Sequence, residues 1–323
     1  MGMPPVPEPA VPDPVGGPVE SSSRRDAPAL RGAGRKGPKR LPRRAAAGRR
    51  SFTATLRSLD ELAASGAKVS VRIDDLDGGA EVLSGDDFVT LPVGGLGVVP
   101  LLIEVAAAIE AGRLDPLEIV DRASVHDAAQ GGVWQHLKAP ALPVADLAAL
   151  AASSGDALAV NALVHRVGLQ SVRSRVEQLG LRRTALLDRF RDARGPDDAP
   201  HLALSTAREM AHVFAGLVNS TIVSPGVSAQ VAEWLSLNHD LSLVASATGL
   251  DPFAHENDQH GLLFVNKTGR AAGVRAEAGV LGGPRAGVAF ALIVNFDDLS
   301  IAHRLRAHDA FRVLGVELME YVY

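Results

Sequence analysis

Residues 91–106 read Leu91-Pro92-Val93-Gly94-Gly95-Leu96-Gly97-Val98-Val99-Pro100-Leu101-Leu102-Ile103-Glu104-Val105-Ala106. A strand with a proline turns through glycines into an almost wholly apolar run. The pattern predicts a helix over 96–111, stopped by Gly112. A helix that is apolar on all sides is a buried one. It is not a membrane span: Glu104 interrupts the run and Glu110 ends it, well short of the ~18 apolar residues a span needs.

Working outward, Phe52, Leu56, Leu59 and Leu62 recur at helical spacing and predict a helix over 51–64. Residues 69–73 alternate as a half-buried strand, Asp77-Gly78-Gly79 is a turn, and 80–83 is its paired strand. Helices are expected over 145–153, 157–167, 169–179 (stopped by Gly180), 206–218 (Ser205 as N-cap, Glu209 close behind) and, shorter, 229–235. Strands return over 262–265, 274–280 and 288–295, separated by Gly-rich or Pro-containing turns, and an amphipathic helix over 300–323 closes the chain. Strands at both chain ends with helices between them predict an α+β fold. Its antiparallel sheet is built from both ends (about 51–90 and 255–323), and an all-helical subdomain (about 91–254) is inserted between them.

The first 50 residues differ from this body. They are Pro-rich, then basic, without hydrophobic periodicity, and are expected to be disordered. Eleven Lys or Arg and four acids give this tail +7, while 22 basic and 33 acidic residues give the rest −11, an asymmetry that the overall −4 conceals. Its charge suits contact with polyanions, yet it has no aromatic residue for base stacking; a solvated extension is the other reading. The absence of cysteine removes disulfides, thiolate chemistry and Cys-based zinc sites. Aromatic content of 4% predicts a core of Ala, Val and Leu. No secretory leader or membrane span is visible, so the expected location is cytoplasmic.

Four landmarks stand in order. The first is the 91–98 junction. The second is Ser154-Gly155-Asp156-Ala157 ahead of Asn161 and Leu163. The third is Leu187-Asp188-Arg189-Phe190-Arg191. The fourth is Lys267-Thr268-Gly269, on the strand that begins Leu262-Leu263-Phe264-Val265. In this order they resemble the penicillin-recognising serine hydrolases, the class A β-lactamases and penicillin-binding proteins, over about residues 51–323. The resemblance implies a β-lactamase-like fold and a cleft bordered by the 267–269 strand. It assigns Lys267 and Thr268 to binding a substrate carboxylate, and the backbone amides of Gly95 and Arg270 to an oxyanion hole.

The departures are systematic. Where the family has its nucleophilic Ser and paired Lys, this chain has Gly95 and Val98; neither can attack or accept a proton. The loop Ser is Gly155, unless Ser154 reaches in from one residue earlier; Asp156 keeps its place and the loop Asn is Ala157. Arg191 stands where the deacylating Glu belongs, and Gly195 where the water-holding Asn belongs. Ser65-Gly66-Ala67-Lys68 also matches Ser-x-x-Lys, but it ends a helix instead of opening a buried one.

Other groups are less telling. His255, Glu256, Asp258 and His260 share one polar loop without helical zinc spacing, and His303 and His308 are five apart on the last helix; no metal or other cofactor is expected. Trp134 reads equally as core packing or as a wall of the cleft. Arg275, on the strand after 267–269, reads as an exposed strand charge or as a grip on a ligand carboxylate. The expectation is a homologue that has lost its nucleophile. It would bind a carboxylate-bearing, β-lactam- or peptide-like ligand through Lys267, Thr268, Gly269, Gly95, Arg270, Asp156, Arg275 and Trp134. The alternative is a true β-lactam, amide or ester hydrolase with a rearranged nucleophile such as Ser154, or with a weak site that works poorly by water attack.

Overall fold

A computed structural model of the chain describes residues 52–125, 131–255 and 261–323. The basic tail and the loop residues Glu256, Asp258 and His260 lie outside the described residues. Helix α1 (Thr53–Ala64) leads into the hairpin β1 (Lys68–Asp75) and β2 (Glu81–Gly85). Then come β3 (Leu91–Pro92), a 3₁₀ turn (Gly94–Val98), α2 (Val99–Glu110), β4 (Ile119–Asp121), β5 (Ala141–Pro143), α3 (Val144–Ser153), α4 (Ala157–Val167) and α5 (Leu169–Gln178). After β6 (Ala185–Leu186), β7 (Ala203–Ser205), α6 (Ala207–Val218) and α7 (Pro225–Ser236), the strands β8 (Leu263–Ala271), β9 (Val274–Gly282) and β10 (Gly287–Asn295) return, and α8 (Ile301–Val322) closes the chain.

The main sheet has the order β2-β1-β10-β9-β8. β1 pairs antiparallel with β10 from Lys68 opposite Asn295 to Asp75 opposite Val288, which joins the two ends of the chain. Strand alternation sorts the two cores. On β10, Val288, Phe290, Leu292 and Val294 face a cluster with Phe52 just ahead of α1, Leu59 of α1, and Phe311 and Leu314 of α8. Ala289, Ala291 and Ile293 face the cluster built by the insertion. α1 has no side-chain cap of its own; Glu317 on α8 supplies one by accepting from the N–H groups of Ala54 (3.0 Å) and Thr55 (2.9 Å).

α2 is the axis of the insertion, with every residue from Val99 to Ala108 buried. Its Glu104 is only 3% exposed and is held by Arg113 and Arg175, both at 2.9 Å. No helix among the described residues is long and apolar enough to cross a membrane.

The insertion is not all-helical as expected. β3, β7 and β6 form one small sheet and β4 and β5 another, in pieces of two or three residues that periodicity cannot register. The helix expected from residue 96 begins as a 3₁₀ turn because Gly94 sits at φ +53°, a left-handed conformation that bends the chain into the helix. Thr206, not Ser205, caps α6, accepting from the Glu209 N–H at 3.1 Å. α7 starts four residues before its expected beginning, because Ser224-Pro225-Gly226 is a cap followed by a proline in the first turn, not a loop. The last sheet strands run longer than the 262–265, 274–280 and 288–295 expected, and Lys267-Thr268-Gly269 lies on the first of them, β8, as expected.

Candidate active-site cleft

β8 is the edge strand of the main sheet, so its outer rim has no strand partner and the 94–98 turn packs against it instead. The approach is close at one point. A Cβ on Gly269 would overlap the Val93 carbonyl oxygen and lie 2.8 Å from the Leu96 nitrogen, so only glycine fits. Gly95 is half-buried at the rim, and a Cβ built there would sit 3.6 Å from the Thr268 carbonyl oxygen, an ordinary contact. Val98, one 3₁₀ turn on, is fully buried.

Alternation along β8 sends Lys267 toward the insertion and Thr268 toward the opposite side. Lys267 is 3% exposed, and its Nζ would lie 3.7 Å from a Cβ on Gly155. Its one hydrogen bond among the described residues is a long one, 3.4 Å to the Thr268 carbonyl. Burial pushes its ammonium down to about 8, against the pull of Asp240. Gly95, Gly155 and the Lys267 amine thus meet around the Thr268 carbonyl. Both positions where the resemblance expects a hydroxyl are glycines.

Thr268 and Arg270 converge on a residue that sequence reading missed. The Thr268 hydroxyl donates to Asp240 Oδ2 at 2.7 Å, and Arg270 Nη2 donates to Asp240 Oδ1 at 2.6 Å. Ser242 adds its hydroxyl (2.7 Å) and its N–H (3.3 Å) to the same Oδ1. Burial alone would raise the Asp240 pKa, but the hydrogen bonds of Thr268 and Ser242 and the charge of Arg270 hold it below the usual carboxylate value. Within the sequence, Asp240-Leu241-Ser242 signals only a local Asx turn; nothing in it points to a strand 28 residues on.

Behind β8 runs a buried polar chain. Asn238 donates to Asn266 at 2.8 Å, Asn266 donates to Glu277 at 2.6 Å, and the Val244 N–H donates to the other Glu277 oxygen at 2.6 Å. Burial pushes the Glu277 carboxyl up to about 8. A cavity of about 260 Å³ opens beside the cleft between Ser153, Leu237, His239, Phe253 and His255.

Several expected ligand residues face elsewhere. Asp156 is fully buried: Oδ1 caps α4 at the Ala159 N–H (3.0 Å) and Oδ2 accepts from the Trp134 N–H (2.8 Å). Trp134 is also fully buried, with its indole N–H directed at the Ala139 carbonyl, so it is core and not a cleft wall. Arg275 spends its donors on the Ala271 and Val274 carbonyls and on His308 of α8. The Ser154 hydroxyl donates back to the Leu150 carbonyl at 3.0 Å. Arg191 is paired with Asp188 (2.8 Å) and Asp198 (3.1 Å). Buried Asn161 pins the same loop, donating to the Phe190 carbonyl and accepting from the Phe190 N–H. No group of three or more possible metal ligands occurs among the described residues.

A sheet closed by both chain ends, a mainly helical insertion and a cleft where the 94–98 turn meets the edge strand define the penicillin-recognising serine hydrolase fold. Comparison with solved structures agrees. A β-lactamase from Sphaerobacter thermophilus superposes with a TM-score of 0.72 at 21% identity, over 84% of this chain and 98% of that one. PBP-A gives 0.69 at 18% identity over 83% and 95%. A β-lactamase from Xanthomonas campestris pv. campestris gives 0.68 at 17% over 84% and 98%. At these identities the likeness shows the fold. A search of curated proteins found no match. The profile of the Beta-lactamase enzyme family matches residues 51–322, and the chain belongs to that family.

Proposed function

We propose that this chain is a non-hydrolytic member of its family, one that binds a small β-lactam- or peptide-like molecule along the 267–269 edge without forming an acyl intermediate. The observation that carries this reading is the pairing of Gly95 with Val98. The half-buried position facing the Thr268 carbonyl carries no side chain, and the position one turn on is fully buried and apolar. Acyl transfer needs a nucleophile and a nearby proton acceptor. Ser154 does not stand in, since its hydroxyl is tied to α3. Arg191 brings no carboxylate to activate water and is itself neutralised by two aspartates. What supports binding is the cleft itself, with a buried cation at Lys267 and a cavity alongside.

The test is incubation with a fluorescent penicillin, followed by intact-mass measurement and a hydrolysis assay. No adduct and no hydrolysis above buffer are expected. Loss of a nucleophile of this type removes roughly a millionfold in rate, so a turnover number above about one per second overturns the reading.

A further inference from the structure

Four donors from three residues surround one point beside β8: the Thr268 hydroxyl, the Arg270 guanidinium, and the hydroxyl and N–H of Ser242. Such a set, with a fork-shaped cation and convergent neutral donors, is a carboxylate-binding site by its chemistry. It is not buried away from ligands. The Arg270 side chain is 47% exposed and that of Asp240 27%. The carboxylate that fills it belongs to the chain. Lys267, on the opposite face of the same strand, is left without a carboxylate within ion-pair distance among the described residues, while Asp240 spends both oxygens on the rim donors.

We infer that Asp240 is a built-in occupant of the cleft's carboxylate site and a determinant of its specificity: it excludes ligands with a free carboxylate at that point and leaves the cleft to neutral amides or esters. The inference deepens the binding role proposed above and rests on it. A ligand carboxylate arriving at Thr268 and Arg270 meets a like charge already holding both donors, and it must break four hydrogen bonds before making its own. A neutral ligand meets no such competition. The remaining positive charge of Lys267, Arg270 and Arg275 draws anions to the neighbourhood but offers no second set of convergent donors.

The experiment compares the wild-type chain with Asp240→Asn and Asp240→Ala, using benzylpenicillin and its methyl ester as probes in a calorimetric or ligand-observed NMR titration. Asp240 lies in a partly exposed loop, and melting curves establish that both variants are folded. The wild type is expected to bind the ester at least as well as the acid. Asp240→Ala is expected to gain about tenfold or more for the acid relative to the ester, the scale of a charge-assisted contact. An unchanged acid-to-ester ratio in both folded variants overturns the inference. A second arm needs no penicillin: crystals of the wild type and of Asp240→Ala grown in high acetate. Acetate on Thr268 and Arg270 in the variant only supports the inference; acetate absent from the variant, or present in both proteins, overturns it. If neither penicillin probe binds any of the three proteins, the binding role fails while the acetate arm still decides the role of Asp240.

Discussion

Restoring the missing pair, Gly95→Ser with Val98→Lys, puts the reading of the cleft to its most direct test. Gly95 is not in the left-handed region, and its Cβ would lie 3.6 Å from the nearest atom, so serine enters without strain. Replacing a glycine at a compatible backbone position contributes roughly 0.4–1 kcal/mol by restricting the unfolded chain. Val98 is fully buried, and losing its burial costs about 1.5–3 kcal/mol. Burying the new amine adds about 1.4 kcal/mol for each unit its pKa falls, so the variant is expected to be folded but clearly destabilised against the roughly 5–15 kcal/mol of a typical domain. In a 3₁₀ turn residues three apart eclipse, so the two new side chains share one face. Burial will push the new amine's pKa down, which suits it to take a proton from the serine.

The expected result is a stoichiometric adduct with a fluorescent penicillin, seen by intact mass. Labelling should be slow, because Asp240 contests the probe's carboxylate, and faster when Asp240→Asn is added. The adduct should persist, since Arg191 in its two ion pairs gives deacylation no general base. A double variant that melts cooperatively yet is never labelled, with or without Asp240→Asn, refutes the assignment of positions 95 and 98 to the reacting centre.

Gly269→Ala forces a methyl into the Val93 carbonyl, a clash between two backbones that neither can relieve cheaply; a loss above about 2 kcal/mol in urea unfolding is expected, and a neutral result would show that the turn does not pack on β8 as described. Trp134→Phe removes the indole contact with Ala139 and part of a fully buried ring, so stability should fall by about 1–3 kcal/mol while ligand affinity stays unchanged; altered affinity would return Trp134 to the cleft. Lys267 titrates at about 8 in place of the ordinary 10.5, so between those values the unfolded chain holds the extra proton and stability rises with pH. Glu277, raised from 4.5 to about 8, gives the opposite slope below 8, where the folded chain holds the extra proton. Lys267→Met should flatten the upper limb and Glu277→Gln the lower one in pH-dependent urea midpoints; limbs that keep their slopes refute the assignment.

The legible part of this molecule was the part written in local order. Among the described residues, periodicity located the eight α-helices and the five strands of the main sheet, and four short stretches in sequence order pointed to the family. What escaped depends on contacts between distant segments. Nothing near Trp134 tells whether its indole faces solvent or the Ala139 carbonyl. Asp156 sits where a cleft residue is expected, but its two oxygens are consumed by Ala159 and by Trp134, 22 residues upstream. Arg275 has the chemistry to hold a carboxylate, yet α8 offers it His308 and the strand ends offer it carbonyls. Asp240 was invisible for the same reason: a polar loop residue gains its meaning only once β8 lies beside it.

The shape of the cleft and the family's reactive positions rest on different residues, so one can change without the other. Shape comes from backbone demands: the left-handed Gly94, the close approach at Gly269, and the Asn161 clamp on Phe190. None of these needs a reactive group. Chemistry would come from side chains at 95, 98, 155 and 191, and glycine, valine and arginine there perturb none of the backbone demands. The bare positions also change the electrostatics. Without hydroxyls beside it, Lys267 faces glycine at 155 and stays under-solvated, which lowers its pKa, while Asp240 neutralises Arg270 on the other face of the strand. On the proposal above, the result is a cleft with a weakened cation and a filled carboxylate site. Those are properties that suit holding an uncharged ligand and fit poorly with capturing an acidic one for reaction.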